Sequence, residues 1–160
     1  MAVALLSGCA GYHLGPSNGQ VAGSRSVQVR PFANQTLQPQ LGDALTAALR
    51  KSMQQDGTYR LATHDDGDVI VTGSITHYDR ADITYNPNDI LTVLDYRVTA
   101  TVHVIVRERS TGRTILERDV NGYTLVRPGA DLTSAERQAM PLLADDIAQK
   151  VTGLLVDGMW

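Results

Sequence analysis

The chain has 160 residues, 42% of them hydrophobic and 19% charged, with 14 Lys and Arg against 17 Asp and Glu for a net charge of -3. That length suits one domain whose core needs no metal or disulfide staple, and a single cysteine excludes any internal disulfide. The basic residues are scattered singly, so the charged stripe that marks a nucleic-acid binder is missing.

Residues 1–8 followed by Cys9 read M-A-V-A-L-L-S-G-C. An apolar run ending in small residues is the tail of an export signal, here without its basic leading segment, so 1–8 is expected to be a truncated lipoprotein signal. Leu6-Ser7-Gly8-Cys9 looks like a bacterial lipobox, which makes Cys9 the expected site of acylation and the first residue of the mature chain. Two or three acyl chains anchor a protein durably, because each buried methylene contributes about 0.8 kcal/mol. The other reading of Cys9 is a buried free thiol. Residues 9–25 are dense in Gly, Ser, Pro and Asn and form the lipidated start and a flexible tether, leaving 26–160 as the single folded domain.

Ser26–Phe32 alternates Val27 and Val29 against Gln28 and Arg30, a short strand closed by Pro31. From Pro39 to Asp56, Leu41, Leu45, Ala48, Leu49 and Met53 make one helical stripe that Gly57 stops. Thr58–Thr63 is a second strand, 64–67 a turn, and Asp68–Tyr78 a strand buried mainly on one face. Residues 79–91 are polar, contain N-P-N-D and read as a long connecting loop. Tyr96–Val106 is the strongest signal: Tyr96, Val98, Ala100, Val102, Val104 and Val106 face one way and Arg97, Thr99, Thr101, His103 and Ile105 the other. A turn at 110–113 returns Thr114–Val126 as a hairpin partner. Thr133 and Glu136 match a capping box, and Met140, Leu143, Ile147, Val151 and Leu154 or Leu155 form a second helical stripe, with Pro141 expected to kink or restart it.

Two one-striped helices and several one-faced strands imply an α+β fold: two helices on one face of a mostly antiparallel or mixed sheet of four to five strands. The opposite face, lined by Thr, Arg and His, is left for wet contact with a partner. No histidine has metal-ligand spacing, no nucleophile has an activating base nearby in a known motif, and His64 to Asp68 lacks the ligand spacing of a calcium loop. A non-enzymatic protein without cofactor is expected. Arg80, Arg97, Arg107 and Arg118 lie on or beside the central strands, and guanidinium forks match phosphate geometry, so they are the candidate contacts for an anionic lipid headgroup. The competing reading makes them solubilising residues on strands.

Several segments together resemble the lipopolysaccharide-assembly lipoprotein family LptE, also called rare lipoprotein B. They are C-A-G-Y-H-L at 9–14, V-Q-V-R-P-F-A-N-Q-T at 27–36 before the first helix, G-T-Y-R-L at 57–61, D-V-I-V-T-G-S-I at 68–75, and Y-R-V at 96–98 before the Thr111-Gly112 turn. The resemblance implies an outer-membrane lipoprotein on the periplasmic side that plugs the LptD β-barrel, assists its assembly and binds lipopolysaccharide. The V-x-P-F-x-N-x-T strand before a helix also looks like lipoproteins that activate penicillin-binding proteins, which would make the partner a peptidoglycan synthase.

Overall fold

The computed structural model describes residues 21–128 and 131–158, with the backbone alone at 90–92. Cys9, the signal segment 1–8 and most of the tether lie outside the described residues. In chain order the elements are β1 (Arg25–Val29), β2 (Ala33–Asn34), α1 (Leu41–Asp56), β3 (Tyr59–Leu61), β4 (Val69–Asn86), β5 (Asp89–Glu108), β6 (Thr114–Val126) and α2 (Leu132–Val156).

Both helices pack on one face of a single mixed sheet, in the order β3-β1-β4-β5-β6, with β2 also alongside β4. The class matches the expectation, while the strand count rises from four or five to six. The added strand is β2, two residues just past Pro31, too short to show any alternation. β1 runs parallel to β3 and β4, and β2 parallel to β4; β4-β5 and β5-β6 are antiparallel. Helix α1 supplies the long crossover that parallel neighbours require.

The apolar stripes meet as their spacing demands. Leu41, Leu45, Leu49 and Met53 of α1 and Leu143, Ile147, Val151 and Leu155 of α2 are buried against Val27, Val69, Val71 and Ile75 and against the even-numbered residues Val98 to Val106 of β5. Each such side chain contributes about 1.5–3 kcal/mol by leaving water. Helix α1 ends at Gly57, which adopts φ 76° and bonds its N–H to the Met53 carbonyl.

One feature of α2 differs from expectation, and of the two outcomes expected at Pro141 the restart is excluded. Its N-cap is Asp131, whose carboxylate accepts from the N–H groups of Thr133 and Ser134, so Thr133 and Glu136 do not form a capping box. Glu136 instead accepts from Arg80 at 2.6 Å. The helix also continues through Pro141 without a restart. Pro141 and Arg137 are both exposed, so water can reach the carbonyl that the proline leaves unbonded.

The segment from 62 to 68 crosses over the outer face of β1. A Cβ on Gly67 would stand 2.6 Å from both the Cβ and the backbone nitrogen of Gln28, so only glycine permits this approach. Asp68 accepts from the Ser26 N–H at 2.7 Å and its hydroxyl at 2.8 Å, Gln28 donates to Asp65, and Arg109 donates to Gly67 O and Gln28 Oε1, both at 2.7 Å. The Asp-rich turn thus buries two polar residues of β1 and satisfies them with hydrogen bonds.

The expected loop at 79–91 is a correction. β4 continues to Asn86 and β5 begins at Asp89, joined by a tight turn at Pro87 and Asn88, so the segment is the end of a long hairpin. Val27 of β1 is level with Val69 at the start of β4, which then runs 17 residues further. At about 3.3 Å per residue the hairpin tip stands roughly 55 Å from the end of the sheet where the tether enters.

Candidate functional site

The alternation that buries one face of the long strands presents Thr72, Ser74, Arg97, Thr101, His103 and Arg107 on the other, away from both helices. The residue inserted between Ile75 and His77 shifts the register, so that beyond it His77 and Asp79 face outward and Tyr78 and Arg80 face the helices. Tyr78 is largely buried, its hydroxyl has no partner among the described residues, and burial pushes its pKa up to about 12.

Near the middle of the outer face His103 lies between two carboxylates, 2.7 Å from Asp119 and 3.4 Å from Glu117. The bond to Asp119 raises its pKa above the ordinary histidine value, against a smaller opposing effect of burial. Toward the hairpin tip, Arg97 stacks 5.5 Å from the Tyr123 ring and Arg127 holds Asp95 through two bonds of 2.7 and 3.1 Å. Tyr123 and Leu125 are 54% and 58% exposed, and Ile83 is 41% exposed beside Leu125 in a small cleft. This distal half is therefore an amphipathic surface of apolar side chains within a polar and ionic frame. Among the described residues no cluster of His, Cys, Asp or Glu is arranged to hold a metal ion.

The four candidate arginines do not converge. Arg97 and Arg107 share the outer face but are ten residues apart on β5, about 33 Å along the strand. Arg80 points to the helix side, where it bonds Glu136 and lies 5.6 Å from the Tyr96 ring. Arg118 is opposite Val104 and therefore also belongs to the helix side, at the β6 edge, where it is exposed. Sequence reasoning missed the hairpin arm, the apolar group Ile83, Tyr123 and Leu125, and the His103–Asp119 pair. The available signals were the β-formers at 83–85 ahead of N-P-N-D, and the register that a tight turn at 110–113 imposes on His103 and Asp119.

Beside the end of β2 there is an open groove of about 540 Å³ between residues 35–38 and residues 76–80 of β4. One wall carries Leu37, which is 98% exposed. Among the described residues no helix is long and apolar enough to cross a membrane.

A family model described as LptE, lipopolysaccharide-assembly, matches residues 24–152. No curated protein matches the sequence significantly. Among solved structures, a Xanthomonas campestris protein of the DUF330 family aligns over 91% of this chain and 92% of its own at 11% identity and a TM-score of 0.64. A minor lipoprotein from Acinetobacter baumannii aligns over 82% and 92% at 14% identity and a TM-score of 0.54. PelC from Paraburkholderia phytofirmans, solved as a dodecamer, aligns over 79% and 85% at 16% identity and a TM-score of 0.51. At these identities the likeness is one of fold.

Proposed function

Because the chain belongs to the LptE lipopolysaccharide-assembly family, we propose that it is a non-catalytic lipoprotein that plugs the LptD β-barrel, assists its assembly and helps pass lipopolysaccharide to the outer leaflet. In this reading acyl chains on Cys9 hold it at the periplasmic face of the outer membrane. The observation that carries it is the polarity of the molecule: the tether enters one end of the sheet and the hairpin tip stands at the other. Residues 9–20, were they the coil that their Gly and Ser content implies, would set an r.m.s. distance of about 17–21 Å between anchor and domain. The roughly 55 Å from there to the hairpin tip exceeds the apolar band of an outer-membrane barrel, about 25 Å tall, so the arm can traverse a lumen.

The outer sheet face suits that position, because the lumen of a large barrel is polar and wet. Arg97 and Arg107 are the proposed headgroup contacts on this face, with Arg80 and Arg118 as proposed contacts on the helix side. Anchoring adds no contact of its own; it raises the local concentration of the domain around a barrel in the same membrane.

The test places a photo-crosslinking residue at Tyr85, near the hairpin tip, in the native envelope. The expected product is an adduct with a large β-barrel, and in cells lacking the barrel Cys9→Ser should move the protein to the soluble periplasmic fraction. Capture of a peptidoglycan synthase instead, or membrane retention of Cys9→Ser in cells lacking the barrel, would overturn the proposal.

A further inference from the structure

The middle of the outer sheet face holds two carboxylates that, among the described residues, have no Lys or Arg within ion-pair distance. Glu117 and Asp119 are two residues apart on β6 and point the same way, opposite Ile105 and His103 of β5, while Arg118 between them belongs to the other face. Their counter-charge is His103, whose Nδ1 lies 2.7 Å from Asp119 and whose Nε2 lies 3.4 Å from Glu117. A neutral imidazole carries one N–H and can serve one carboxylate. Turning a donor to both requires the cation.

Other charged groups on this face stand farther off. From β4, Ser74 is opposite His103, and His77 and Asp79 lie farther toward the hairpin tip. Along β5, Arg107 and Arg97 are four and six residues from His103, about 13 and 20 Å away. Attraction over such distances is largely screened by salt. Both helices pack on the opposite face.

We propose that His103 is a proton switch for docking of the outer face, which closes onto the polar wall of a barrel lumen with the imidazole protonated and binds it less tightly once that proton has left. The inference rests on the barrel reading above and adds its regulation. The side chains of Asp119 and Glu117 are 66% and 56% exposed, so water solvates them in the free chain, and a docked wall strips part of that water. Desolvating two like charges without a counter-ion is costly. An imidazolium between them leaves one net negative charge in place of two, so the docked face holds the proton more tightly than the free face does. By reciprocity the proton strengthens docking. The bond to Asp119, opposed by a smaller effect of burial, already moves the titration of His103 upward from its ordinary value, toward neutral pH.

The experiment measures the affinity of the full chain for the immobilised LptD barrel in detergent at pH 6 and pH 8. A rise of the His103 midpoint by about 0.5–1 on docking makes binding about three- to tenfold weaker at pH 8. His103→Gln should bind at both pH values as weakly as the unmodified chain does at pH 8. Asp119→Asn combined with Glu117→Gln removes the charges that need the proton and should bind at both as tightly as the unmodified chain does at pH 6, an outcome that misfolding does not produce. His77→Gln, at the second histidine of this face, should keep the pH dependence of the unmodified chain. Equal affinity of the unmodified chain at the two pH values, or an undiminished pH dependence after His103→Gln, would overturn the switch and leave the barrel reading in place. Failure to bind the barrel at either pH would remove both.

Discussion

Gly122→Ala tests whether α2 is seated on β6 as closely as the structure indicates. A Cβ at residue 122 would lie 2.2 Å from Ile147 Cγ1, 3.1 Å from its Cδ1 and 3.0 Å from an Asp146 carboxylate oxygen. Ile147 is fully buried within the core cluster, so turning its side chain aside displaces its neighbours. The helix must therefore lift, which strains the bonds from Asp146 to the Tyr123 N–H and from Lys150 to the Asn121 carbonyl. Overpacking of this kind costs about 1–3 kcal/mol, and a loss of about 2 kcal/mol in a domain of this size lowers Tm by about 4–8 °C. Calorimetry or urea denaturation of the full chain reads the effect directly. Ile147→Ala alone should cost about 2–5 kcal/mol through its cavity. Because it also removes Cγ1 and Cδ1, the double variant should be no less stable than Ile147→Ala, a coupling of about 1–3 kcal/mol. A Gly122→Ala protein within about 0.5 kcal/mol of the unmodified chain, or strict additivity in the cycle, would refute the close seating.

Two further predictions concern pH. The Ser26 N–H and hydroxyl hold the Asp68 carboxylate below its ordinary range, so its stabilisation is present above its unfolded pKa, near 4, and fades as pH falls through the folded value. Asp68→Asn should lower stability at neutral pH and flatten the acid side of the stability curve, and an unchanged acid slope would count against the crossover bonds. For His103, raised chiefly by Asp119, the sign is opposite: its stabilisation is complete below the unfolded pKa near 6.5 and is lost as pH rises through the folded value. Asp119→Asn should shift the His103 midpoint down in an NMR titration, and an unmoved midpoint would show that the 2.7 Å contact does not hold the proton.

The parts of the fold that were legible in the sequence are those where one face meets the core. β5 alternates because its even residues pack beneath α1 and α2 while its odd residues meet water, and both helices have their stripes for the same reason. Expected boundaries agree within about two residues for α1 and β3, whose ends are marked by Pro39 and Gly57 and by the turn at 64–67. β2 was illegible because two residues cannot display a period. The capping box failed because Asp131, two residues ahead of Thr133, reaches the same free N–H groups first and leaves Glu136 to Arg80. The arginines were legible as residues but not as an arrangement, since the bulge after Ile75 sends Arg80 to the opposite face from Arg97.

The hairpin arm shows why the region most suited to contact is the hardest to read from one chain. From Asp79 to Tyr85 every residue is exposed, because Arg80, bonded to Glu136 in the first turns of α2, is the last contact with a helix and beyond it neither face of the strand meets a core. With no inside or outside to separate, selection for burial cannot impose a period of two, and D-R-A-D-I-T-Y reads as loop. The strand persists because β5 supplies partners along it, with shifts of register between Asp82 and Asn86, and the Pro87-Asn88 turn closes it. A pair of strands extending past its own core is only marginally stable in water. The distal surface of Ile83, Tyr85, Tyr123 and Leu125 therefore gains most from an external surface that takes the place of the missing helices. Periodicity in this sequence reports contacts the chain makes with itself, and its absence at 79–85 coincides with the exposed arm on which the proposed contacts depend.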